Sequence, residues 1–168
     1  MKIDSTKIFF AKTDEKAIVP SKRVEDAGFD LYACCEEAEI ILERNEIKLI
    51  PTGIATAFSH EFVLFVKERS STGSIGLSVR MGVIDSGYRG EIKIGLNNTS
   101  DKRIIISKNV IKTTFIEEAN TLYYPFAKGI AQAVLLKIPS IESSEISHEE
   151  LMKFTSERME SFLGASGK

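Results

Sequence analysis

The sequence predicts an all-β fold of the sandwich, jelly-roll or barrel type, and three observations support this prediction. Much of the 168-residue chain divides into short apolar, β-prone runs. Turn signals such as Pro51-Thr52-Gly53 separate these runs at short intervals. The segment Glu91–Asn97 alternates polar and apolar residues, which is the two-residue period of a half-buried strand.

The predicted elements follow one another along the chain. The strands are Lys7–Ala11, Ala38–Leu42, Ile47–Ile50, Ile54–Phe58, Phe62–Val66, Glu91–Asn97, Arg103–Ile106 and Ala131–Ile138. One short helix is predicted in the C-terminal half, because Ser147 and Glu150 form a capping-box pattern. Residues 155–168 are rich in Gly, Ser and charge, which is typical of a flexible tail. We therefore expect one domain over residues 1–154, followed by this tail.

Composition excludes several classes of protein. Lys plus Arg number 22 and Asp plus Glu number 24, so the formal net charge of −2 argues against a general nucleic-acid binder. The N-terminus lacks the apolar core of a signal peptide, and no run approaches the ~20 apolar residues of a membrane span. Cys34 and Cys35 are adjacent, so they offer neither zinc-ligand spacing nor a bridge to each other. These features predict a cytoplasmic protein with neither a nucleic-acid nor a membrane partner.

The segment Gly82–Glu91 is the part of the sequence that carries chemistry. Two apolar residues lead to Asp85, Ser86-Gly87 turns the chain, and Tyr88 follows, which predicts a hairpin. A hairpin tip can place a carboxylate beside a flat ring, and its exposed backbone amides and carbonyls can imitate a base-pairing partner. The same residues are equally compatible with a plain hairpin, in which Asp85 serves the turn and Tyr88 packs on a sheet.

Five segments together resemble the motifs of the dUTPase family. Gly82–Glu91 closely resembles the third motif, and the first, second, fourth and fifth are matched in order by Ala27–Ala33, Arg69–Ser71, Gly129–Gln132 and Arg158–Gly167. The resemblance implies a distorted jelly-roll β-barrel that assembles as a homotrimer, with a C-terminal tail that closes over the substrate as a lid. It implies hydrolysis of dUTP to dUMP and pyrophosphate, which controls the dUTP level and supplies dUMP for thymidylate synthesis.

The resemblance also implies how the nucleoside and the attacking water are held. Asp85 matches the catalytic aspartate, which orients and deprotonates the water, and Asp30 is expected to support that water or a metal-bound water network. Tyr88 matches the ring that packs under the deoxyribose and collides with the 2′-hydroxyl group of UTP. Uracil is expected to be read by the backbone of Gly82, Val83 and Ile84.

The phosphate groups are expected to be bound by three motifs. The implied contacts are Arg69, Ser70, Ser71, Gln132, Arg158, Ser166 and Gly167. Mg²⁺ is implied by the triphosphate itself, and we expect it to bind phosphate oxygens and water without a direct protein ligand.

Three features depart from the family pattern. In the tail, Met159, Ser161 and Phe162 replace glycines, and Leu163 stands where a Phe stacks on uracil. Either Leu163 covers the base or the tail shifts so that Phe162 does, and we prefer Leu163 because it keeps Arg158 and Ser166 in register. Gly129 occupies a position that is normally basic. The segment 99–127 is longer than usual, which predicts an added loop or hairpin whose apolar residues pack on the barrel or a neighbouring subunit.

Two alternative functions compete with dUTP hydrolysis. A dCTP deaminase shares the fold, but the position of its catalytic glutamate is Gly95 here, which cannot transfer a proton. A nucleotide-sensing or protein-binding relative that no longer hydrolyses is favoured by the weakened tail. Intact Asp85 and Tyr88 argue against the second alternative.

Overall fold

A computed structural model describes residues 3–110 and 115–155 of this chain, and β-strands dominate those residues. The strands are β1 (Ile8–Lys12), β2 (Gly28–Leu31), β3 (Glu39–Leu42), β4 (Ile47–Pro51), β5 (Ile54–Phe58), β6 (Phe62–Lys67), β7 (Leu77–Arg80), β8 (Val83–Ile84), β9 (Lys93–Asn98), β10 (Arg103–Ser107), β11 (Ile116–Glu118), β12 (Thr121–Pro125) and β13 (Ala131–Lys137). Two one-turn helices, α1 (Ser70–Gly73) and α2 (His148–Leu151), complete the described part of the chain. The all-β prediction is confirmed.

The strands of the described residues form four hydrogen-bonded sheets that do not close into one continuous barrel. Their strand orders are β1-β5, β11-β12-β10-β3, β2-β13-β6-β8 and β4-β9-β7. Most pairs are antiparallel, and β10 with β12 is parallel. In the third sheet, β2 and β8 are the two edge strands, and candidate site residues lie at both of these edges.

One apolar core joins these sheets. Its side chains come from strands of all four sheets, and the completely buried ones include Leu31, Leu42, Leu64, Leu77, Leu96, Ile104 and Ile106. Burying a Leu or Ile side chain contributes about 1.5–3 kcal/mol, so this cluster dominates the stability of the unit. The sheets that carry the candidate site are therefore fixed by shared packing.

The alternation that predicted a half-buried strand is misleading for β9. The prediction that this strand is buried on one face is wrong, because five consecutive residues, Ile94 to Asn98, are all buried. β9 lies between β4 and β7, and the polar Asn97 and Asn98 are covered as well. Asn98 satisfies its side chain by donating to the carbonyls of Leu42 and Lys102 at 3.0 and 2.8 Å.

The segment around Asp85 forms the predicted turn but not the predicted hairpin. The amide of Tyr88 donates to the carbonyl of Asp85 at 3.0 Å, which closes a turn around Ser86-Gly87. β8 pairs with β6, however, and β9 pairs with β4 and β7, so the hairpin prediction is wrong. Residues 85–92 instead connect two sheets, and we refer to them as the Asp85 loop.

The two helices differ in how well the sequence predicts them. α2 begins as predicted, because the Ser147 hydroxyl accepts from the amide of Glu150 at 3.1 Å and Glu150 accepts in return from the amide of Ser147. α1 is not predicted, since Ser, Thr and Gly are weak helix formers. Its turn is held by Thr72, whose buried hydroxyl accepts from the amide of Arg69 and donates to the Arg69 carbonyl.

The additional segment 99–127 contains a hairpin made by β11 and β12. The two-residue turn at Ala119 and Asn120 has φ values of 44° and 64°, the left-handed conformation that such tight hairpins require. Tyr124 in β12 is completely buried and belongs to the core. The strands β10 and β12 of this segment are therefore built into the fold rather than attached to its surface.

The chain divides into a first compact unit that ends at Ile138 and a second that begins at Pro139. The predicted division into a domain over 1–154 and a lid over 155–168 stays a prediction, because residues 156–168 lie outside the described part. In the described residues, no helix is long and apolar enough to cross a membrane.

Candidate active site

A cavity of about 280 Å³ lies beside β8 and the Asp85 loop. Its lining residues are Leu49, Met81, Val83, Ile84, Asp85, Tyr88, Glu91 and Lys93. The exposed carboxylate of Asp85 and the half-exposed ring of Tyr88 thus share one concave site with apolar side chains. We call it the nucleoside cavity, because it is lined by Val83, Ile84, Asp85 and Tyr88, which the sequence analysis predicted to contact the nucleoside and the attacking water.

The ring of Tyr88 is held in place by two neighbours in the Asp85 loop. Its hydroxyl donates to the carbonyl of Glu91 at 3.0 Å. The ring lies directly over Gly90, where a Cβ atom would stand 2.5 Å from the Tyr88 hydroxyl oxygen and 2.7 Å from Cζ. Glycine at position 90 is therefore a steric requirement for this ring position.

The base of the Asp85 loop is tied to the turn between β4 and β5. The Glu91 carboxylate accepts from the amide of Gly53 at 2.8 Å, and the buried hydroxyl of Thr52 donates to the Ile92 carbonyl at 2.6 Å. The amide of Ile92 in turn donates to the carbonyl of Ile54. Glu91 therefore helps to hold the Asp85 loop in its position beside the nucleoside cavity.

In the described residues β8 is an edge strand, and both of its residues line the nucleoside cavity. On its inner side, Gly82 accepts from the amide of Val66 at 2.7 Å, and a Cβ at position 82 would lie 2.4 Å from the Val66 carbonyl. In the described residues β8 is the last strand of its sheet, so its outer amides and carbonyls face no further strand. Such an edge can pair with the polar edge of a base.

A second cavity, of about 360 Å³, lies at β2, which is the opposite edge of the sheet that contains β8. Its lining residues are Asp26, Ala27, Gly28, Asp30, Arg69, Ser70, Ser71, Lys128 and Gln132. We call it the phosphate cavity, because it is polar and brings together the residues of three motifs. The sequence analysis missed Asp26 and Lys128; their positions next to the first and fourth motifs were the available signal.

An ion pair organises the floor of the phosphate cavity. Arg69 Nε lies 2.8 Å from Asp30 Oδ1, and the side chains are 25% and 30% exposed, so water screens them only in part. Arg69 Nη1 also donates to the carbonyl of Gly129 at 3.1 Å. A Cβ at position 129 would lie 3.2–3.3 Å from Asp30 and Arg69, so the missing basic side chain leaves space that this pair fills.

Ser71 is connected to Tyr124, a residue outside the motifs. The Ser71 Oγ and Tyr124 Oη atoms are 3.1 Å apart, and Tyr124 Oη donates to the Gly129 carbonyl at 2.9 Å. Burial raises the pKa of Tyr124, so its hydroxyl keeps its proton at neutral pH.

Gln132 is held by its neighbours as well. Its Nε2 donates to the carbonyl of Glu68 at 3.0 Å, which leaves the second N–H of the amide for a ligand. A Cβ at position 28 would lie 2.9 Å from Gln132 Oε1, so Gly28 in the paired strand makes room for this side chain.

The two cavities of one chain share no lining residue. β2 and β8 are the opposite edges of one sheet, three strand spacings or roughly 14 Å apart. The structure therefore unites Asp30, Arg69, Ser70, Ser71 and Gln132 in one place, and Val83, Ile84, Asp85 and Tyr88 in another. The predicted tail contacts Arg158, Phe162, Leu163, Ser166 and Gly167 lie outside the described residues.

The described residues offer few carboxylate, thiol or imidazole groups in positions that could bind a cation together. Among residues 3–110 and 115–155, no group of three or more His, Cys, Asp or Glu side chains is arranged to hold a metal ion. In the phosphate cavity, the Asp30 carboxylate already accepts the Arg69 guanidinium.

The fold and the linings of the two cavities define a β-sheet protein with two separate surface cavities, and comparison with known proteins assigns its family. A sequence model of the dUTPase family matches residues 14–111, more than half of the chain. The chain belongs to the dUTPase family.

Relatives with assigned names agree with this assignment. The chain is 36% identical over 104 residues to the deoxyuridine 5'-triphosphate nucleotidohydrolase of Leptospira interrogans, covering 60% of this chain and 71% of that protein. It is 31% identical over 145 residues to the enzyme of the same name from Gloeobacter violaceus, covering 84% and 83%.

Solved structures confirm the distorted jelly-roll fold. A single-substitution variant of the Staphylococcus bacteriophage 80alpha dUTPase with dUpNHpp aligns with a TM-score of 0.71 at 24% identity, covering 96% of this chain and 99% of that one. A dUTPase variant from phage phi11 of S. aureus, whose structure shows a coordinated structural Mg(II) ion, aligns with a TM-score of 0.63 at 23% identity, covering 83% and 96%.

Proposed function

We propose that the protein hydrolyses dUTP to dUMP and pyrophosphate, and so controls the dUTP level and supplies dUMP for thymidylate synthesis. The observation that carries the proposal is the nucleoside cavity, in which the Asp85 carboxylate and the Tyr88 ring face one concave site beside the free edge of β8. Family membership supports the same reaction.

In the proposed reaction, Asp85 orients a water molecule and takes its proton as the water attacks the α-phosphorus. The bond between the α-phosphorus and the bridging oxygen breaks, and pyrophosphate leaves with the electron pair. The backbone of Gly82, Val83 and Ile84 binds uracil, and Tyr88 lies under the deoxyribose.

The phosphate groups are proposed to bind in the phosphate cavity. Arg69, Ser70, Ser71 and Gln132 supply a positive charge and N–H or O–H donors, while Asp30 holds Arg69 in place. Lys128 lines the same cavity and supplies a second positive charge. It directly precedes Gly129, the position that is basic in the family pattern. Arg158, Ser166 and Gly167 stay predicted phosphate contacts, and Leu163 or Phe162 stays the predicted cover of the base.

We propose that Mg²⁺ arrives bound to the triphosphate, where it neutralises part of the phosphate charge. The commitment of Asp30 to Arg69 supports this, because it leaves fewer carboxylate oxygens in the cavity for a cation. The cytoplasmic location and the lack of nucleic-acid and membrane partners stay predictions.

We further propose that the functional form is a homotrimer in which the nucleoside cavity of one subunit faces the phosphate cavity of its neighbour. The separation of the two cavities within one chain supports this proposal, since a single nucleotide must contact the residues of both.

The activity is tested by measuring pyrophosphate and dUMP from dUTP with Mg²⁺ and with a chelator, beside UTP and dCTP. We expect equal amounts of both products from dUTP in Mg²⁺ and little from UTP. Ammonia release from dCTP would support the deaminase instead, although Gly95 is buried in β9 against the Arg80 carbonyl and offers no proton-transfer group. Binding of dUTP without product would favour a nucleotide sensor.

Replacing Gly90 by alanine is expected to weaken the discrimination between dUTP and UTP. The new methyl group would displace the Tyr88 ring and break its bond to the Glu91 carbonyl, so the ratio of kcat/KM for dUTP over UTP should fall about tenfold. Gly87→Ala is the matched control in the same loop, because a Cβ there meets nothing within 4 Å. An unchanged ratio in Gly90→Ala would show that the ring does not select the sugar.

A further inference from the structure

Tyr124 contacts Ser71, a residue that lines the phosphate cavity, from a part of the chain that no motif includes. Its ring is completely buried in the core, and its strand β12 pairs with β10 in a different sheet from the one that carries Gln132. Its hydroxyl is nevertheless within hydrogen-bond distance of Ser71 Oγ and the Gly129 carbonyl. This is the only side chain of β12 for which a bond to these two residues is observed in the described part of the chain.

The positions of the hydrogens follow from what each group can do. A carbonyl only accepts, so the Tyr124 proton points to Gly129 and Ser71 must donate to the Tyr124 oxygen. In this arrangement the Ser71 proton is directed away from a ligand. A phosphate oxygen also only accepts, so Ser71 has to turn its proton toward the phosphate before it can bind it.

The Gly129 carbonyl permits this rearrangement because it has two donors. It accepts from Arg69 Nη1 at 3.1 Å as well as from Tyr124. If the Tyr124 proton turns to Ser71 Oγ, Gly129 keeps its bond to Arg69 and no buried acceptor loses its last partner. The chain of bonds then runs from Tyr124 to Ser71 to the phosphate, and each bond polarises the next.

We propose that Tyr124 is a positioning residue of the phosphate cavity, whose hydroxyl turns from the Gly129 carbonyl to Ser71 Oγ and thereby directs the Ser71 proton to a bound phosphate. This inference rests on the proposed function, since it concerns the phosphates of the nucleotide substrate. Tyr124 itself touches no substrate in this account.

Tyr124→Phe tests the proposal because it removes one oxygen and keeps the ring in the core. We expect the KM for dUTP to rise about five- to tenfold, the size of one hydrogen bond, with kcat changed less. Tyr123→Phe is the matched control, since Tyr123 is the adjacent, half-buried residue of the same strand and lines neither cavity. Loss of folded protein would lower the apparent kcat in proportion and leave KM unchanged, so KM separates positioning from stability.

A double variant shows whether Tyr124 acts through Ser71. Ser71→Ala should raise KM by itself, and adding Tyr124→Phe should then raise it by less than the product of the single effects. A KM for Tyr124→Phe that equals or falls below that of Tyr123→Phe, or strictly multiplicative effects with Ser71→Ala, would overturn the proposal.

Binding of inorganic tripolyphosphate, measured by calorimetry, separates this inference from the proposed function. Weaker binding to Tyr124→Phe than to Tyr123→Phe supports the inference even if the unmodified protein releases no pyrophosphate from dUTP. Equal binding in the two variants together with full dUTP hydrolysis by the unmodified protein overturns the inference and leaves the proposed function intact.

Discussion

Asp85→Asn is expected to lower kcat for dUTP hydrolysis about 10²- to 10⁴-fold, the range that a general base contributes. Asparagine keeps the size of the side chain and removes its ability to take a proton. Because Asp85 is exposed at the rim of the nucleoside cavity, the substitution leaves the core untouched. Nucleotide affinity should therefore change little.

The measurement for Asp85→Asn combines initial rates of pyrophosphate release with calorimetric binding of an imido analogue of dUTP. Asp101→Asn is the control, since Asp101 is also exposed but lies in a turn that lines neither cavity. A variant that keeps most of its kcat would exclude Asp85 as the base. A variant that loses binding as well would give Asp85 a role in holding the nucleotide.

Arg69→Met is expected to lower kcat/KM for dUTP about 30- to 100-fold. Methionine keeps much of the aliphatic stem, but the phosphate cavity loses a cation and Asp30 loses its partner. Truncating one partner of a hydrogen-bonded charge pair costs about 2–3 kcal/mol, and each 1.4 kcal/mol is about tenfold. Arg103→Met is the control, because Arg103 forms an exposed ion pair with Glu43 at 2.7 Å away from both cavities.

A second substitution distinguishes the two causes of that loss. Asp30→Asn in the Arg69→Met background removes the unpaired carboxylate and leaves the cation missing. We expect it to recover only part of kcat/KM, since the phosphates still lack the guanidinium. Complete recovery would mean that Arg69 serves only to neutralise Asp30.

Local signals in the sequence predicted the parts of the fold that depend on neighbouring residues. The Ser86-Gly87 turn and the Ser147–Glu150 cap are of this kind, and both are present. The hairpin prediction failed because the partner of β8 is β6, which is distant in sequence. No local pattern distinguishes a turn between paired strands from a turn between two sheets.

The candidate site shows the same division between local and distant information. The motif residues Arg69, Ser71 and Gln132 do line one cavity, but Tyr124 is connected to them only because a separate sheet brings it there. Likewise, the period-2 pattern of β9 described its composition correctly, but its burial depends on its position between β4 and β7 and on the core that packs against Ile94 and Leu96. The separation of the two cavities also depends on the order of the strands within the sheet, which local sequence patterns do not predict.

Mixing Asp85→Asn with Arg69→Met subunits is the measurement that tests the divided site most directly. The two variants are co-expressed with different tags, and assemblies that carry both tags are isolated and assayed for pyrophosphate release from dUTP. If each site joins the nucleoside cavity of one subunit to the phosphate cavity of the next, about a third of the sites in trimers that carry both tags contain neither substitution. We therefore expect mixed assemblies to recover activity toward about a third of the unmodified level, far above either variant alone. Mixed assemblies no more active than the average of the two variants would show that each site is complete within one chain, which would contradict the account.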